Sequence, residues 1–234
     1  MAQRLRVALT RVAMALWIRF SEDSWRDFSR PADEPRVETP GPDPVRIVIL
    51  GGGANLGYGL STHQISFGGN LSRQLARRLA RGVVVDIIAS PELPLRSLSD
   101  FLPTPGGNVD VIVTTVGSLE AYQLQREDRW RADLEAFLAD VSARDSRTLT
   151  FVGGIVPPGS LVSAPRFART LVAERVVLLN SASRSVCKGT PRAVFVPFPS
   201  DGIASNRDKP TEQYRAGAAV FTDAIAVALA KRDR

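Results

Sequence analysis

The chain has few residues that could supply an imidazole base or a thiol nucleophile. Its 234 residues include one histidine, His63, and one cysteine, Cys187. This pair cannot supply the four ligands of a structural zinc site within one chain, and one cysteine forms no intramolecular disulfide. Any mechanism that requires an imidazole therefore has one candidate. We predict neither a metal nor a cofactor.

A glycine cluster, Gly51, Gly52 and Gly53, follows the apolar run 45–50. Glycines after a strand are typical of loops that bind phosphate through backbone N–H groups. The spacing does not fit a dinucleotide fingerprint, because Leu56 stands where the third glycine is expected. A Walker loop is excluded because no lysine follows a glycine. Nucleotide binding through this loop stays an alternative hypothesis.

A second group of polar residues, Ser118 and Glu120, comes directly after the apolar run 109–116. Ser118 is a candidate nucleophile, but a serine after a strand-ending glycine also supports turns and caps helices. We interpret Glu120 as a helix-capping residue or the partner of an arginine. His63 has no evident partner in the sequence and is predicted to be a surface or capping residue. Cys187 is predicted to be a buried, inert thiol.

These residues need a scaffold, and from residue 45 onward short β-branched runs alternate with helical segments. This alternation predicts a parallel sheet with helices on both faces, in which ligands bind beyond the carboxyl ends of the strands. Apolar residues have helical spacing near 71–79, 130–141 and 214–230. The predicted strands are 45–50, 83–89, 109–116, 149–156, 176–179 and 193–198.

The first twenty residues contain four arginines and no acid, and they are too short and too charged to span a bilayer. Their apolar residues fall on one helical stripe, which indicates a helix lying on an apolar surface. That surface is either the protein's own domain or a membrane. The stripe consists of Leu5, Leu9, Val12, Leu16 and Phe20. We predict a basic helix over 1–30, a proline-rich linker over 31–44 and a domain over 45–234.

Five blocks between residues 45 and 230 resemble, in order, the SGNH or GDSL hydrolase family of serine esterases and acyltransferases. The strand 45–50 with Gly51, followed by 57–59, is similar to the block in which Gly-Asp-Ser ends the family's first strand. The other blocks are the helix 66–79, the strand 109–117, the strand and proline pair 152–158, and the stretch 210–214. The resemblance implies a three-layer α/β/α sandwich with a flavodoxin-like sheet of five to six strands.

The positions that carry chemistry in this family hold other residues here. The nucleophilic serine falls on Gly53, the oxyanion glycine near Glu92 and the oxyanion asparagine on Leu119. The aspartate and histidine of the closing Asp-x-x-His fall on Asn206 and Lys209. Acyl transfer needs a nucleophile, a base and oxyanion donors. The resemblance thus implies a hydrolase fold without its conventional catalytic residues.

We therefore predict a protein that has lost serine-esterase chemistry and binds a ligand through the residual cleft. An active esterase or acyltransferase with relocated residues, Ser118 with Lys209 or His63, is the alternative. The expected partner is a small molecule of acyl or sugar character or a protein, not a specific nucleic acid. The expected location is the cytoplasm, either free or at a membrane surface reached through residues 1–20. The predicted cleft consists of Gly51, Gly52, Gly53, Ser118, Leu119, Glu120 and Lys209.

Overall fold

The computed structural model describes residues 2–21, 29–156, 164–198 and 210–232. Runs of β-branched and apolar residues form the strands, because such side chains pack well on a sheet that is buried on both faces. The strands are β1 Arg36–Thr39, β2 Val45–Gly51, β3 Val83–Ala89, β4 Val111–Thr115, β5 Leu149–Gly153 and β6 Ala193–Val196. The helices are α1 Ala2–Phe20, α2 Phe67–Leu79, α3 Ser118–Tyr122, α4 Glu127–Arg144, α5 Arg169–Gly189 and α6 Pro210–Arg232.

Within the described residues the strands form one six-stranded sheet in the order β1-β3-β2-β4-β5-β6. Strands β2 to β6 are parallel, and β1 pairs with β3 in the antiparallel direction. Without β1, the order of the five parallel strands is that of flavodoxin-like sheets, which bind ligands beyond the carboxyl ends of their strands. The predicted fold class is confirmed.

Side chains alternate between the two faces of the sheet and build a separate core on each. On one face, α2 and α6 cover Ile47, Ile49 and Val113. On the other face, α4 and α5 cover Val48 and Leu50, and α1 joins the same cluster. The molecule is therefore a three-layer α/β/α sandwich.

One predicted strand is wrong, because residues 176–179 lie inside α5. Val172, Val176 and Leu179 are buried at helical spacing, whereas Val177 is 68% exposed. A short apolar run does not distinguish a strand from one turn of an amphipathic helix. The other predicted strands are present, β3 over its predicted bounds, β2 nearly so, and β4, β5 and β6 with shorter ends. The helical spacings near 71–79, 130–141 and 214–230 correspond to α2, α4 and α6.

The proline-rich stretch 31–44, predicted as a linker, contains a strand of the sheet. β1 Arg36–Thr39 pairs with β3, with Arg36 opposite Asp86 and Thr39 opposite Val83. The folded unit consequently starts before residue 45. Only Val37 among the four residues of β1 is buried, so no alternating pattern marks the strand. Its edge position explains why prolines can flank it at both ends.

Helix α1 packs on the domain through a different face from the predicted one. Met14 and Ile18 are buried in the core, the Trp17 ring stacks on Tyr122, and the Arg11 guanidinium donates to the Leu124 carbonyl at 2.6 and 3.1 Å. The predicted stripe points outward, since its members Leu9, Val12, Leu16 and Phe20 are 55–72% exposed. Apolar residues occur on both faces of this helix, so periodicity alone could not select the packed one. None of the described helices has the length and apolar character needed to cross a membrane.

Candidate functional site

The glycine loop after β2 lies at the carboxyl edge of the sheet, between the ends of β3 and β4. The Gly52 N–H donates to the Thr115 carbonyl at 3.2 Å, and the Thr115 hydroxyl donates to the Gly52 carbonyl at 3.0 Å. On the other side, the Ser90 N–H donates to the Gly51 carbonyl at 2.9 Å. The loop is therefore anchored to both neighbouring strand ends, where flavodoxin-like sheets bind ligands.

Two glycines of this loop have different structural roles. Gly51 has φ +139, and a Cβ there would lie 2.9 Å from the Thr115 carbonyl oxygen. Gly53 has φ +56, but a Cβ at this position would meet no atom within 4 Å. Gly51 is therefore required by close packing, whereas the space around Gly53 could hold a side chain. Gly53, the position predicted for the nucleophile, has no hydroxyl to offer.

The second predicted wall of the cleft is α3, which begins directly after Gly117. Gly51 pairs with Thr115 in the sheet, so the glycine loop and the start of α3 lie at the same edge. Ser118 is exposed, and the half-buried Leu119 packs against the core on the α4 and α5 side. An apolar side chain thus occupies the position where the resemblance places an oxyanion donor.

Glu120 is buried rather than lining an open cleft. One of its carboxylate oxygens accepts a hydrogen bond from the Leu95 N–H at 2.7 Å, and the other has no partner among the described residues. Burial raises the pKa of Glu120, although the Leu95 N–H opposes this shift. The carboxylate therefore ties α3 to the 3₁₀ helix Leu95–Phe101, where the sequence predicted a cap or an arginine pair.

Several predicted site residues cannot be placed or lie elsewhere. Asn206 and Lys209, like the proline pair at 157–158, lie outside the described residues. Glu92, near the expected oxyanion glycine, is exposed in the loop after β3. Cys187 is buried as predicted, and burial raises the pKa of its thiol to about 12. A thiol with this pKa is a poor nucleophile at neutral pH.

The most ordered polar arrangement at this edge was missed by the sequence analysis and joins His63 to Asp33. The His63 ring Nδ1 lies 2.7 Å from Asp33 Oδ1, and the His63 backbone N–H donates to both carboxylate oxygens at 2.9 and 3.0 Å. Burial alone would raise the pKa of Asp33, but the hydrogen bonds from His63 outweigh it and lower the pKa below the ordinary value of 3.8. His63 is buried, so the first of its two predicted roles, a surface residue rather than a capping one, is wrong.

Asp33 reaches His63 because the segment 30–35 is held across the end of β3. The Gly59 N–H donates to the Ser29 carbonyl at 3.0 Å, and the Ile87 N–H donates to the Pro35 carbonyl at 2.8 Å. Asp33 falls in the stretch predicted as a linker. The one local feature that could have pointed to it is its place between two prolines, Pro31 and Pro35. The pairing with a residue 30 positions away has no signature in local sequence.

A pocket of about 580 Å³ opens beside the pair. Asn55 lines this pocket, is 2% exposed, and neither oxygen nor nitrogen of its amide has a hydrogen-bond partner in the described structure. Asn55 belongs to the 3₁₀ turn Gly53–Leu56, so the pocket adjoins the glycine loop. Its lining residues are Arg30, Pro31, Asp33, Pro35, Asn55, Leu56, His63, Ile87 and Ala89. Among the described residues, no group of three or more His, Cys, Asp or Glu side chains could hold a metal ion.

Comparison with known proteins finds similarity in structure only. No family model matches the chain, and no curated protein matches its sequence. A carbohydrate esterase family 2 enzyme with a carbohydrate-binding domain from Corynascus thermopiles (Myceliophthora fergusii) superposes with a TM-score of 0.59 at 18% identity, covering 82% of this chain and 68% of that one.

Two further solved structures cover nearly the whole of their own chains. A family 3 carbohydrate esterase from Clostridium thermocellum has a TM-score of 0.59 at 14% identity over 80% of this chain and 100% of its own. A member of the lipolytic G-D-S-L family from Veillonella parvula has a TM-score of 0.58 at 9% identity over 76% and 97%.

Proposed function

We propose that this protein, which has the SGNH hydrolase fold, binds an acylated, sugar-like small molecule at the carboxyl edge of its sheet without cleaving it by serine chemistry. The observation that carries the proposal is Gly53, which stands at the end of β2 where the resemblance places the nucleophile. Two of the similar structures are carbohydrate esterases, which supports a carbohydrate as the ligand class.

The requirements of acyl transfer support the absence of a serine mechanism. Gly53 has no hydroxyl to attack a carbonyl, and Leu119 has no amide to stabilise the oxyanion. Removal of one oxyanion donor lowers the rate by about 10²–10³, and loss of a triad member lowers it further. The two losses together leave only binding and polarisation to accelerate a reaction.

The geometry of the loop supports retained binding. The glycine loop is hydrogen-bonded to both neighbouring strand ends, so its backbone is ordered before a ligand binds. Binding therefore does not carry the entropy cost of ordering this loop. Space remains over Gly53, and the exposed Ser118 supplies a hydroxyl at the same edge. These features suit a ligand with a small acyl group.

Two measurements test the proposal. We expect a fluorophosphonate probe to label no serine of the unmodified protein. We also expect the unmodified protein to hydrolyse p-nitrophenyl acetate no faster than the Ser118→Ala variant does. We expect acetylated xylo-oligosaccharide to bind in calorimetry, and the bulky Ser118→Arg variant to weaken binding while Val177→Arg, on the exposed face of α5, does not. Labelling of a serine, or equal binding by both arginine variants, would contradict the proposal.

The Asp33–His63 pair favours a second candidate, an esterase with a relocated catalytic site. An imidazole held by a carboxylate is the usual general base of hydrolases. Ser118, the nucleophile of that alternative, does not line the pocket that holds His63. A fluorophosphonate adduct on Ser118 that disappears in the His63→Asn variant would establish this candidate in place of the first.

A further inference from the structure

We propose that the pocket beside β3 is a second ligand site, which binds a small hydroxylated carboxylate, such as a sugar acid, through Arg30, Asn55 and the Asp33–His63 pair. The site involves neither Gly53 nor Ser118 as a contact residue, so it stands independently of the function proposed above. It is built from the segment 30–35, the 3₁₀ turn Gly53–Leu56, the start of the 3₁₀ turn His63–Ile65, and the end of β3.

The hydrogen bonds of His63 determine which of its ring atoms a ligand can use. Asp33 is a carboxylate and only accepts, so Nδ1 of His63 donates to it. In the neutral ring this leaves Nε2 as an acceptor. Among the described residues none hydrogen-bonds to Nε2, and this atom is not among the sealed, unpartnered polar atoms. It can therefore accept a hydrogen bond from a hydroxyl that enters the pocket.

Asn55 provides a second polar group that lacks a partner in the protein. Its amide is buried, and neither its oxygen nor its nitrogen is hydrogen-bonded in the described structure. Buried polar atoms in native proteins are nearly always paired with protein groups or ordered water. The amide both donates and accepts, so a hydroxyl or carboxyl group in the pocket would pair with it once the residues that seal the amide move aside.

The remaining lining residues define the rest of the ligand. Arg30 is exposed at the rim and makes no ion pair with another described residue, so its guanidinium can bind a carboxylate. Pro31, Pro35, Leu56 and Ile87 offer apolar walls against which the C–H face of a small ring packs. Hydroxyl, carboxylate and ring together describe a sugar acid or a cyclic hydroxy acid.

His63 is the sole histidine, so its imidazole signals in an NMR spectrum are unambiguous. We expect D-glucuronate to shift these signals saturably with a Kd of about 1 mM or below. The Arg30→Gln variant should weaken D-glucuronate binding about tenfold and leave the weaker binding of D-glucose unchanged. Arg129→Gln, an exposed arginine on α4, serves as the matched control.

Calorimetry measures binding in variants that remove or alter the His63 imidazole, whose NMR signals can then no longer be used. His63→Asn and Asn55→Ala should each weaken D-glucuronate binding at least about tenfold, with an unaltered circular dichroism spectrum showing that they remain folded. If His63→Asn or Asn55→Ala unfolds, Asp33→Glu is a milder variant, which lengthens the side chain that holds His63. Absence of a saturable shift, or D-glucuronate affinity that Arg30→Gln and the milder variant leave unchanged, would overturn the proposal.

The outward face of α1 is a separate interaction surface, and we infer that it binds the surface of an anionic lipid bilayer. Leu9, Val12, Leu16 and Phe20 lie one turn apart along this face, and all are more than half exposed. The inward face is already occupied, because Met14 and Ile18 are buried in the domain core. The described residues thus leave an apolar stripe exposed, which is typical of a surface that binds a partner.

Charge favours an anionic membrane as that partner. The first twenty residues contain four arginines and no acid. Arg11 is bound to the Leu124 carbonyl on the packed face, whereas Arg19 is exposed and lies over the Phe20 ring at 5.6 Å. A helix with an apolar face and flanking arginines lies in the interface of a bilayer with its apolar side chains among the acyl chains. Negatively charged headgroups add an attraction that salt screens.

Sedimentation with vesicles tests this surface in the full chain. We expect binding to phosphatidylcholine–phosphatidylglycerol vesicles that is reduced by salt and lost in the Leu9→Gln/Leu16→Gln variant. Val177→Gln/Val227→Gln, which changes exposed apolar residues on α5 and α6, should bind as the unmodified chain does. Absence of vesicle binding, equal loss in the control, or a dimer that the α1 variant dissociates would overturn the inference.

Discussion

Asp33 and His63, 30 residues apart in the chain, are joined by three hydrogen bonds that involve both the ring and the backbone N–H of the histidine. The carboxylate comes from a proline-rich stretch and the imidazole from a 3₁₀ turn after the first parallel strand. The pair therefore closes the segment 30–35 over the carboxyl edge of the sheet. It is also the element that makes the pocket beside β3 a candidate site.

The pair should make stability depend on pH. The pKa of Asp33 is lower in the folded protein than its ordinary value of 3.8, so its contribution is complete above 3.8 and is lost as pH falls through the lower folded value. The free energy of unfolding lost in Asp33→Asn should thus be larger at pH about 6 than at pH about 3. Because the carboxylate is partly exposed, the difference should be about 1 kcal/mol or less.

Urea unfolding at the two pH values measures this difference. Glu34→Gln changes the neighbouring exposed carboxylate and should show no comparable pH dependence. An Asp33→Asn effect of equal size at both pH values would mean that the carboxylate does not stabilise the folded state through its charge.

Gly53 should accept a serine without regaining esterase activity. A side chain there meets no neighbour within 4 Å, but φ is +56, so Gly53→Ser should lose about 1–2 kcal/mol of stability to backbone strain. Gly51→Ser should lose more, because a Cβ would lie 2.9 Å from the Thr115 carbonyl oxygen. Thermal unfolding compares the two variants, and a fluorophosphonate probe tests Gly53→Ser for reactivity. Strong labelling of that variant would show that the other catalytic groups are present.

Glu120 should destabilise the protein increasingly as its carboxylate ionises. Burial raises its pKa above the ordinary value of 4.5, so the folded state holds the proton more tightly than the unfolded state. Stability contributed by this group then falls as pH rises from 4.5 through the higher folded pKa. Glu120→Gln keeps the acceptor for the Leu95 N–H. Its free energy of unfolding should therefore increase relative to that of the unmodified chain as pH rises.

Glu120→Ala provides the contrast, because it leaves the Leu95 N–H unpaired and should lose about 1–3 kcal/mol at acid pH. This loss should shrink as pH rises, because the unmodified chain is itself destabilised by ionisation of Glu120. Denaturant unfolding from acid to neutral pH measures both variants. A Glu120→Gln difference that does not change with pH would show that the pKa of Glu120 is the same in the folded and unfolded states.

The orientation of α1 predicts opposite outcomes for two neighbouring apolar residues. Met14 is fully buried, whereas Leu16 is 55% exposed. Met14→Ala should lower the free energy of unfolding by about 2–5 kcal/mol, and Leu16→Ala should change it by no more than about 0.5 kcal/mol. Urea unfolding of the two variants decides this, and a larger loss for Leu16→Ala than for Met14→Ala would show that the helix packs through its other face.

The errors of the sequence prediction have a common physical cause. The run 176–179 and the stripe on α1 are apolar patterns, and a pattern does not state which neighbour will bury it. The strand β1 is the reverse case, because four residues with one buried side chain form a strand only when β3 supplies the hydrogen bonds. In each case the deciding partner is distant in the chain.

The sequence by itself determined the layered α/β fold, because β-branched runs and amphipathic helices alternate over most of the chain. A parallel sheet covered by helices on both faces buries the apolar side chains of both kinds of element. It also determined that Gly53 supplies no hydroxyl and Leu119 no amide, because the functional group of a side chain depends only on which residue occupies the position. Tertiary structure alone decided that His63 has a carboxylate partner, since Asp33 reaches it through a segment held on β3 by main-chain hydrogen bonds. Main-chain bonds of this kind depend on the packing of the whole sheet and leave no mark on local residue types.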